Sequence, residues 1–161
     1  MPEINFTTMT NRSLAAEVLA MMRALYSEDE AATPADHERF PLTIECLLSE
    51  PGRGRIVLFI EGASLRGYAL LIPYWSNEFG GALLFVDELF VTPEARNHGI
   101  GRRFFEFLAV ERPFDAVAAA LEVSPVNMRA RGFYESLGFV LRQNAVLTRR
   151  FPAKPLGICR G

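Results

Sequence analysis

The chain has 161 residues, of which half are hydrophobic and 22% are charged, with a formal net charge of −2. That composition is typical of a globular protein with a buried core, and it excludes collagen-like, coiled-coil and disordered classes. No apolar run reaches the roughly 18–20 residues of a membrane helix, and the first residues lack the basic and apolar regions of a secretory signal. We therefore expect one domain over residues 1–161, located in the cytoplasm.

The charges are distributed unevenly along the chain. Residues 1–95 carry 14 acidic residues and six arginines, whereas residues 96–161 carry five acidic residues, ten arginines and Lys154. This asymmetry suits an anionic ligand on the C-terminal part and a cationic one on the N-terminal part, but simple drift of surface charge explains it equally well. Without a basic cluster we expect no nucleic-acid partner. Cys46 and Cys159 have neither metal nor redox spacing, so we expect no metal.

The hydrophobic pattern predicts an α/β protein with a mixed sheet, in the order β-α-α-β-β-β-α-β-α-β-β. A short strand at 4–6 precedes a helix that begins after Asn11 or Ser13 and ends near Tyr26. A second helix, with Thr33 as its cap and Pro34 in its first turn, ends before Pro51.

The second half of the chain continues with three strands, of which the third is almost unbroken in its apolar character. Such a run is typical of a strand that is covered on both faces. The predicted elements are strands at 55–61, 66–74 and 82–91, a helix at 100–111, a strand at 116–123, a helix at 127–137 stopped by Gly138, and late strands at 139–141 and 145–151.

A glycine-containing loop joins the third of these strands to the next helix. Gly99 and Gly101 allow the backbone to turn tightly and approach a ligand, and the N–H groups of the first helical turn favour a phosphate. Arg96, Arg102 and Arg103 add positive charge. The loop has neither the three glycines of the dinucleotide fingerprint nor a Walker A lysine, so an ordinary strand-to-helix corner remains an alternative.

Two adjacent acids, Asp87 and Glu88, interrupt the apolar strand at 82–91. Because strand side chains alternate, one acid is expected on each face, although a β-bulge would swap their faces. An unpaired buried carboxylate costs several kcal/mol, so each acid needs a partner or a solvent-filled cleft. A cleft acid with a raised pKa is a candidate general base, and pairing with arginines is the structural alternative.

These motifs combine with a third segment farther along the chain. Over about residues 55–141 the sequence resembles the GNAT superfamily of N-acetyltransferases. The resemblance rests on Asp87-Glu88-Leu89-x-Val91-x-Pro93-Glu94-x-Arg96-x-x-Gly99-Ile100-Gly101, on Leu121-Glu122-Val123, and on Asn127, Ala130, Phe133-Tyr134-Glu135 and Gly138-Phe139.

The resemblance implies acetyl-CoA as the acyl donor, with no metal. It assigns the pantetheine arm to a strand backbone and to an asparagine, and the pyrophosphate to the glycine loop. The implied cofactor-binding residues are Leu89, Phe90, Val91, Arg96, Asn97, His98, Gly99, Ile100, Gly101, Arg102 and Asn127. Asn97 stands where glycine is common in such loops, and asparagine tolerates left-handed backbone angles better than most residues.

The resemblance also implies the catalytic residues. Tyr134 matches the tyrosine near the cofactor sulfur, although by spacing alone it would be a core aromatic residue. Asp87 lies in the register of an acid that serves as base in relatives, directly or through water, and Glu88 is its neighbour. Which of the two acids is the base stays open.

The expected activity is acetyl transfer from acetyl-CoA to a primary amine by direct attack in a ternary complex, since no cysteine lies near the motifs to carry an acyl group. Between Glu28 and Glu50 there are seven acids and one arginine. In the family the first two helices wall the acceptor site, so a small cationic amine is favoured, with a merely solvated acidic face as the alternative. Two other functions remain open: an acyl-CoA-binding module without turnover, and acetylation of protein N-termini or lysines. The family also implies a homodimer.

Overall fold

The computed structural model describes residues 3–28 and 37–152. Within these residues the strands form one five-stranded sheet in the order β1-β2-β3-β4-β5, in which only β4 and β5 are parallel. The elements are β1 (Ile4–Thr8), α1 (Ala15–Glu28), α2 (Phe40–Ser49), β2 (Arg55–Glu61), β3 (Ser64–Ser76), β4 (Gly81–Val91), α3 (Ile100–Glu111), β5 (Ala118–Leu121) and α4 (Met128–Ser136). The predicted mixed α/β class is confirmed.

The sheet separates two hydrophobic cores, which explains the apolar character of its central strands. One core lies on the α3/α4 face, where Phe104 packs against Phe59 with ring centroids 4.9 Å apart. The other lies on the α1/α2 face, where Val18 and Met22 of α1 are completely or almost completely buried. As predicted, β4 is covered on both faces.

Helix α3 begins and ends where the sequence predicts. Its N-cap is Gly99, whose φ of 75° is a left-handed conformation that glycine adopts without strain. Arg112 closes the helix by donating its N–H to the carbonyl of Leu108, and Pro113 follows. The apolar residues between them recur at helical spacing, so Phe104 and Leu108 are buried against the sheet.

The two late strands predicted at 139–141 and 145–151 are wrong for the described residues, because no strand follows α4 before residue 152. Phe139 packs on Phe105 with centroids 5.3 Å apart. The apolar side chains that follow it, such as Leu147 at 94% exposure, point into solvent. A strand forms only beside another strand with which its backbone can hydrogen-bond. The alternation of apolar and polar residues in this segment favours an extended chain, but it does not indicate which strand would be the neighbour.

Part of the predicted second helix lies outside the described residues, including the Thr33 cap, Pro34 and three of the acids, Asp29, Glu30 and Asp36. In the described part, a 3-10 turn at His37–Arg39 leads into α2. Helix α1 runs to Glu28, two residues beyond the predicted end.

Two glycines in helices are expected to respond differently to replacement by alanine. Gly132 in α4 has open space around the position of a Cβ atom, so Gly132→Ala is expected to stabilise the helix by about 0.5–1 kcal/mol. A Cβ atom on Gly101 would lie 3.1 Å from Cζ of Phe133, so that ring would have to shift. In thermal unfolding we expect Gly132→Ala to raise Tm by about 1–4 °C and Gly101→Ala to give no gain. Equal gains for both variants would contradict this packing.

Candidate active site

The sheet opens between β4 and β5. Only four residues of each strand are paired, Leu83–Val86 with Ala118–Leu121. Beyond Val86, β4 continues to Val91, and among the described residues only β3 lies beside it there. Within this part of the chain, the backbone edge of β4 that turns away from β3 therefore has no strand neighbour from Asp87 to Val91, in the region that the family resemblance assigns to the pantetheine arm.

A β-bulge lies where β4 and β5 part. Leu70 of β3 is opposite Glu88, and Leu71 is opposite Val86, so Asp87 is an extra residue without a cross-strand partner. The bulge changes which side chains share a face. Val86 packs in the core on the α3/α4 face, and two residues later Glu88 lies on the α1/α2 face with Tyr68. In a regular strand these two positions would share a face.

Glu88 is buried and hydrogen-bonded. Its side chain is 8% exposed, and Oε2 accepts a hydrogen bond of 2.7 Å from the hydroxyl of Tyr68 on β3. Burial raises the pKa of Glu88, while hydrogen bonds from Tyr68 and from Tyr26 on α1 oppose that increase. The pKa of Tyr68 is raised far above its usual value by burial and by Glu88, so its hydroxyl remains a donor at any working pH.

Asp87 has a different environment. Its side chain is exposed, and it lies next to Glu122, the residue that follows β5. Partial desolvation raises the pKa of Asp87, and repulsion from the carboxylate of Glu122 raises it further. An accessible carboxylate with a raised pKa is suited to accept a proton from a substrate.

Tyr134 lies on α4 at the α3/α4 face. Its ring contacts Phe105 and Phe139 edge-to-face, with centroids 5.8 and 5.9 Å away. Burial raises the pKa of Tyr134, which keeps the hydroxyl protonated. Within the described residues this hydroxyl makes no hydrogen bond, so it is available to another molecule.

The glycine loop turns sharply into the N-terminus of α3. Asn97 and Gly99 both have positive φ values, 65° and 75°, and Gly99 leads directly into α3 at Ile100. The N–H groups in the first turn of α3 lack acceptors in the helix and carry its positive dipole end. Gly101 serves packing, because its missing side chain makes room for Phe133 of α4.

The arginines near this loop have protein partners. Arg96 donates to the carbonyl of Val91 at 2.9 Å and to both carboxylate oxygens of Glu28 on α1. Arg102 donates to the hydroxyl of Ser136 on α4 at 3.0 Å. The side chain of Arg96 therefore braces the end of β4 against α1.

One arginine was not identified from the sequence. Arg129, in the first turn of α4, hydrogen-bonds the side-chain oxygen of Asn97 and so places a positive charge at the loop. The contact spans 32 residues of sequence, and no local pattern indicates it. Its neighbour Asn127 caps α4 by accepting the N–H of Ala130 at 3.0 Å. Within the described residues, the NH2 group of Asn127 has no hydrogen-bond partner.

His98 faces a separate cavity of about 370 Å³, bounded by β1, the β2–β3 turn and the start of α3. None of Asp87, Glu88 and Tyr134 lines it.

In residues 3–28 and 37–152, no group of histidine, cysteine and acidic side chains could hold a metal ion. Across the same part of the chain, no helix has the length and apolar character that a membrane span requires.

The sheet that opens beside a bulge and the left-handed loop at the N-terminus of α3 agree with the GNAT resemblance of the sequence. A family model described as "Acetyltransferase (GNAT) family" matches residues 19–139. The chain belongs to this family, which uses acetyl-CoA, and it is an N-acetyltransferase. No curated protein matches the chain significantly.

Solved structures share this fold over nearly the whole chain. A "possible acetyltransferase" from Clostridium difficile 630 has a TM-score of 0.80 at 18% identity, covering 93% of this chain and 99% of its own. AAC(6′)-Iy, in complex with the bisubstrate analogue CoA-S-monomethyl-acetylneamine, has a TM-score of 0.75 at 15% identity, covering 93% of this chain and 99% of its own. A ribosomal-protein-alanine N-acetyltransferase from Brucella melitensis biovar Abortus 2308 has a TM-score of 0.71 at 15% identity, covering 92% and 100%.

Acetyl-CoA is expected to stabilise the protein against heat. A ligand at 100 times its Kd adds roughly 2.7 kcal/mol to the free energy of unfolding, which corresponds to about 5–10 °C in Tm for a chain of this size. Differential scanning fluorimetry with acetyl-CoA, and with adenosine as the control, measures the shift. An unchanged Tm at millimolar acetyl-CoA would contradict cofactor binding by this loop.

Proposed function

We propose that the protein acetylates a small cationic primary amine in a ternary complex with acetyl-CoA. The observation that carries this proposal is the group of carboxylates where β4 and β5 part, formed by Asp87, Glu88 and Glu122. The neighbouring charges that shift the pKa values of Asp87 and Glu88 all belong to carboxylates, and no cation contributes to these shifts. Negative potential in an opening of the sheet attracts a protonated amine.

The residues around the opening would divide the chemistry between them. Asp87 would take the proton from the ammonium group, directly or through a water molecule, and so release the nucleophile. Acetyl-CoA supplies the thioester that the amine attacks. A backbone N–H of β4, that of Leu89, would donate to the developing oxyanion, and the hydroxyl of Tyr134 would protonate the thiolate that leaves.

The residues that hold the cofactor would follow from the same geometry. The backbone at Leu89, Phe90 and Val91 would bind the pantetheine arm along the edge of β4 that lacks a strand neighbour, and Asn127 would offer its free NH2 group. The pyrophosphate would lie on the N–H groups of the loop, which comprises Arg96, Asn97, His98, Gly99, Ile100, Gly101 and Arg102. Arg129 is an additional positive charge at that loop.

The acidic segment from Glu28 to Glu50 supports the acceptor class less than its composition suggests. Glu28 is paired with Arg96, and Glu45 forms an ion pair with Arg12. In the described part of this segment, arginines therefore neutralise these two carboxylates. The proposal of a cationic acceptor rests on the carboxylates at the sheet opening instead.

A competition assay tests the acceptor class. The protein and acetyl-CoA are incubated with equal concentrations of a linear diamine, a linear monoamine of the same length that carries one positive charge fewer, and peptides with a free N-terminus or an internal lysine. Mass spectrometry then measures each acetylated product. We expect the diamine product to dominate and its advantage to shrink as salt is added, because screening weakens the attraction. Preferential acetylation of a peptide would assign the protein to the protein acetyltransferases instead.

Family membership favours catalysis over a binding module without turnover. The single domain over residues 1–161, the cytoplasmic location and the homodimer remain predictions. Size-exclusion chromatography with light scattering measures the oligomeric state directly.

A further inference from the structure

The two acids at the bulge differ in what they can reach. Asp87 is exposed, whereas Glu88 is 8% exposed and already bonded to Tyr68, a side chain with no exposed surface. A buried carboxylate in this arrangement would have to give up its hydrogen bonds before it could touch a substrate amine. The proposed transfer uses Asp87, so Glu88 requires a separate explanation.

We propose that Glu88 and Tyr68 position the base, because their hydrogen bond fixes the bulge and thereby aims Asp87 at the acceptor amine. This assignment rests on the acetyl transfer proposed above. Asp87 has no cross-strand partner of its own, so its direction is set by the residues on either side. Val86 is held in the core on the α3/α4 face, and Glu88 is anchored on the opposite face.

The chemistry of position 88 supports a positioning role. An apolar residue would satisfy packing there, since Phe90 on the same face of β4 and Leu70 across from it on β3 are both buried hydrophobic residues. A carboxylate instead carries a desolvation cost that only hydrogen bonds offset.

Glu88 joins three elements at this point. The titratable groups that face it are Tyr68 from β3, Tyr26 from α1 and Asp87 from β4 itself. The hydrogen bonds tie the bulge of β4 to the neighbouring strand and to the helix that packs over it. Loss of these bonds would leave the bulge, and the carboxylate that it presents, free to change direction.

Steady-state kinetics on three variants tests the positioning role. Glu88→Leu is expected to lower kcat about 10- to 100-fold, because a misplaced catalytic group is costly even at ångström scale. Glu88→Gln, whose amide oxygen still accepts from Tyr68, is expected to keep at least about a third of kcat, because the positioning contact survives. Tyr68→Phe is expected to lower kcat about tenfold. In all three variants the Kd for CoA should stay within about twofold of the wild type, because neither exchanged side chain contacts the glycine loop that would hold the pyrophosphate.

A double variant separates positioning from folding. Tyr68→Phe alone removes one of the two hydrogen bonds that offset the burial of Glu88 and is expected to lower Tm. Combining it with Glu88→Leu removes the buried carboxylate and makes both partners apolar, so Tm is expected to recover most of that loss while kcat stays low. A double variant with wild-type Tm and wild-type kcat would overturn the proposal. So would a Glu88→Gln variant as inactive as Asp87→Asn, because Glu88 would then be the base.

A second readout needs no acceptor. The carboxyl carbon of Asp87 can be titrated by NMR in the wild type and in both Glu88 variants. We expect the raised pKa of Asp87 to persist in Glu88→Gln and to fall toward that of an ordinary aspartate in Glu88→Leu, as the bulge relaxes into solvent. An unchanged titration of Asp87 in Glu88→Leu would overturn the positioning role. Absence of acetyl transfer by the wild-type protein would instead overturn the proposed function alone.

Discussion

Replacing Asp87 by asparagine is expected to lower kcat about 10²- to 10³-fold, within the range that loss of a general base produces. Asparagine has nearly the same shape but cannot accept the proton from the ammonium group. The bulge should persist, because the hydrogen bond between Glu88 and Tyr68 is untouched. The Kd for acetyl-CoA, measured by calorimetry, should stay near that of the wild type, because the side chain of Asp87 is not among the groups proposed to hold the cofactor.

The pH dependence identifies the titrating group. Asp87 must be ionised to act as a base, so kcat/KM should fall as the pH drops through its raised pKa. This acid limb should start at a higher pH than for an ordinary aspartate, and it should be absent from the residual activity of Asp87→Asn. An acid limb that persists unchanged in the variant would show that another group titrates.

Stability should move in the opposite direction from activity. The folded protein binds a proton on Asp87 more tightly than the unfolded chain does, because the folded-state pKa is raised. The ionised form therefore lowers stability, and this cost appears as the pH rises from the ordinary aspartate pKa through the raised one. At neutral pH, Asp87→Asn should melt at or above the wild-type temperature.

Tyr134→Phe is expected to lower kcat by about 10², at the lower end of the range for a general acid. The ring contacts with Phe105 and Phe139 remain in the variant, and within the described residues the hydroxyl has no hydrogen bond to lose. Stability and CoA binding should both be preserved. The loss should therefore be confined to the chemical step, in which the leaving thiolate needs a proton.

Tyr74→Phe is the matched control for this substitution. Tyr74 lies near the end of β3 with its side chain 51% exposed, and removing its hydroxyl should leave kcat within about twofold of the wild type, as for most surface changes. Wild-type kcat in Tyr134→Phe would assign Tyr134 to the core only. Equal losses in both variants would point to a general effect of tyrosine removal.

Elements whose ends carry local signals were predicted most accurately. Helix α3 lies between Gly99, which adopts a left-handed conformation, and Pro113, which cannot continue a helix. Strand β2 was predicted at its observed bounds, since its apolar run is bracketed by Gly54 and Gly62. Which strands pair with one another was harder to predict from the sequence. The strands predicted after Gly138 depended on a neighbour that the local pattern cannot specify.

In the candidate site, too, local features were predicted and contacts between distant residues were not. The glycine loop and Tyr134 were identified from motifs that are local in sequence. The faces of Asp87 and Glu88 depend on the register between β4 and β3, which the sequence left open. The partner of Arg96 is Glu28, 68 residues away, and no local pattern indicates that this arginine braces the end of β4 against a helix.

Direct detection of the product is the measurement that tests the central claim most directly. The purified protein is mixed with acetyl-CoA and a linear diamine, and released CoA thiol and N-acetylated diamine are quantified over time. We predict that the two products form in equal amounts and that both depend on Asp87. A protein whose Tm rises with acetyl-CoA but that forms no acetylated amine, with either small amines or peptides, would contradict the account.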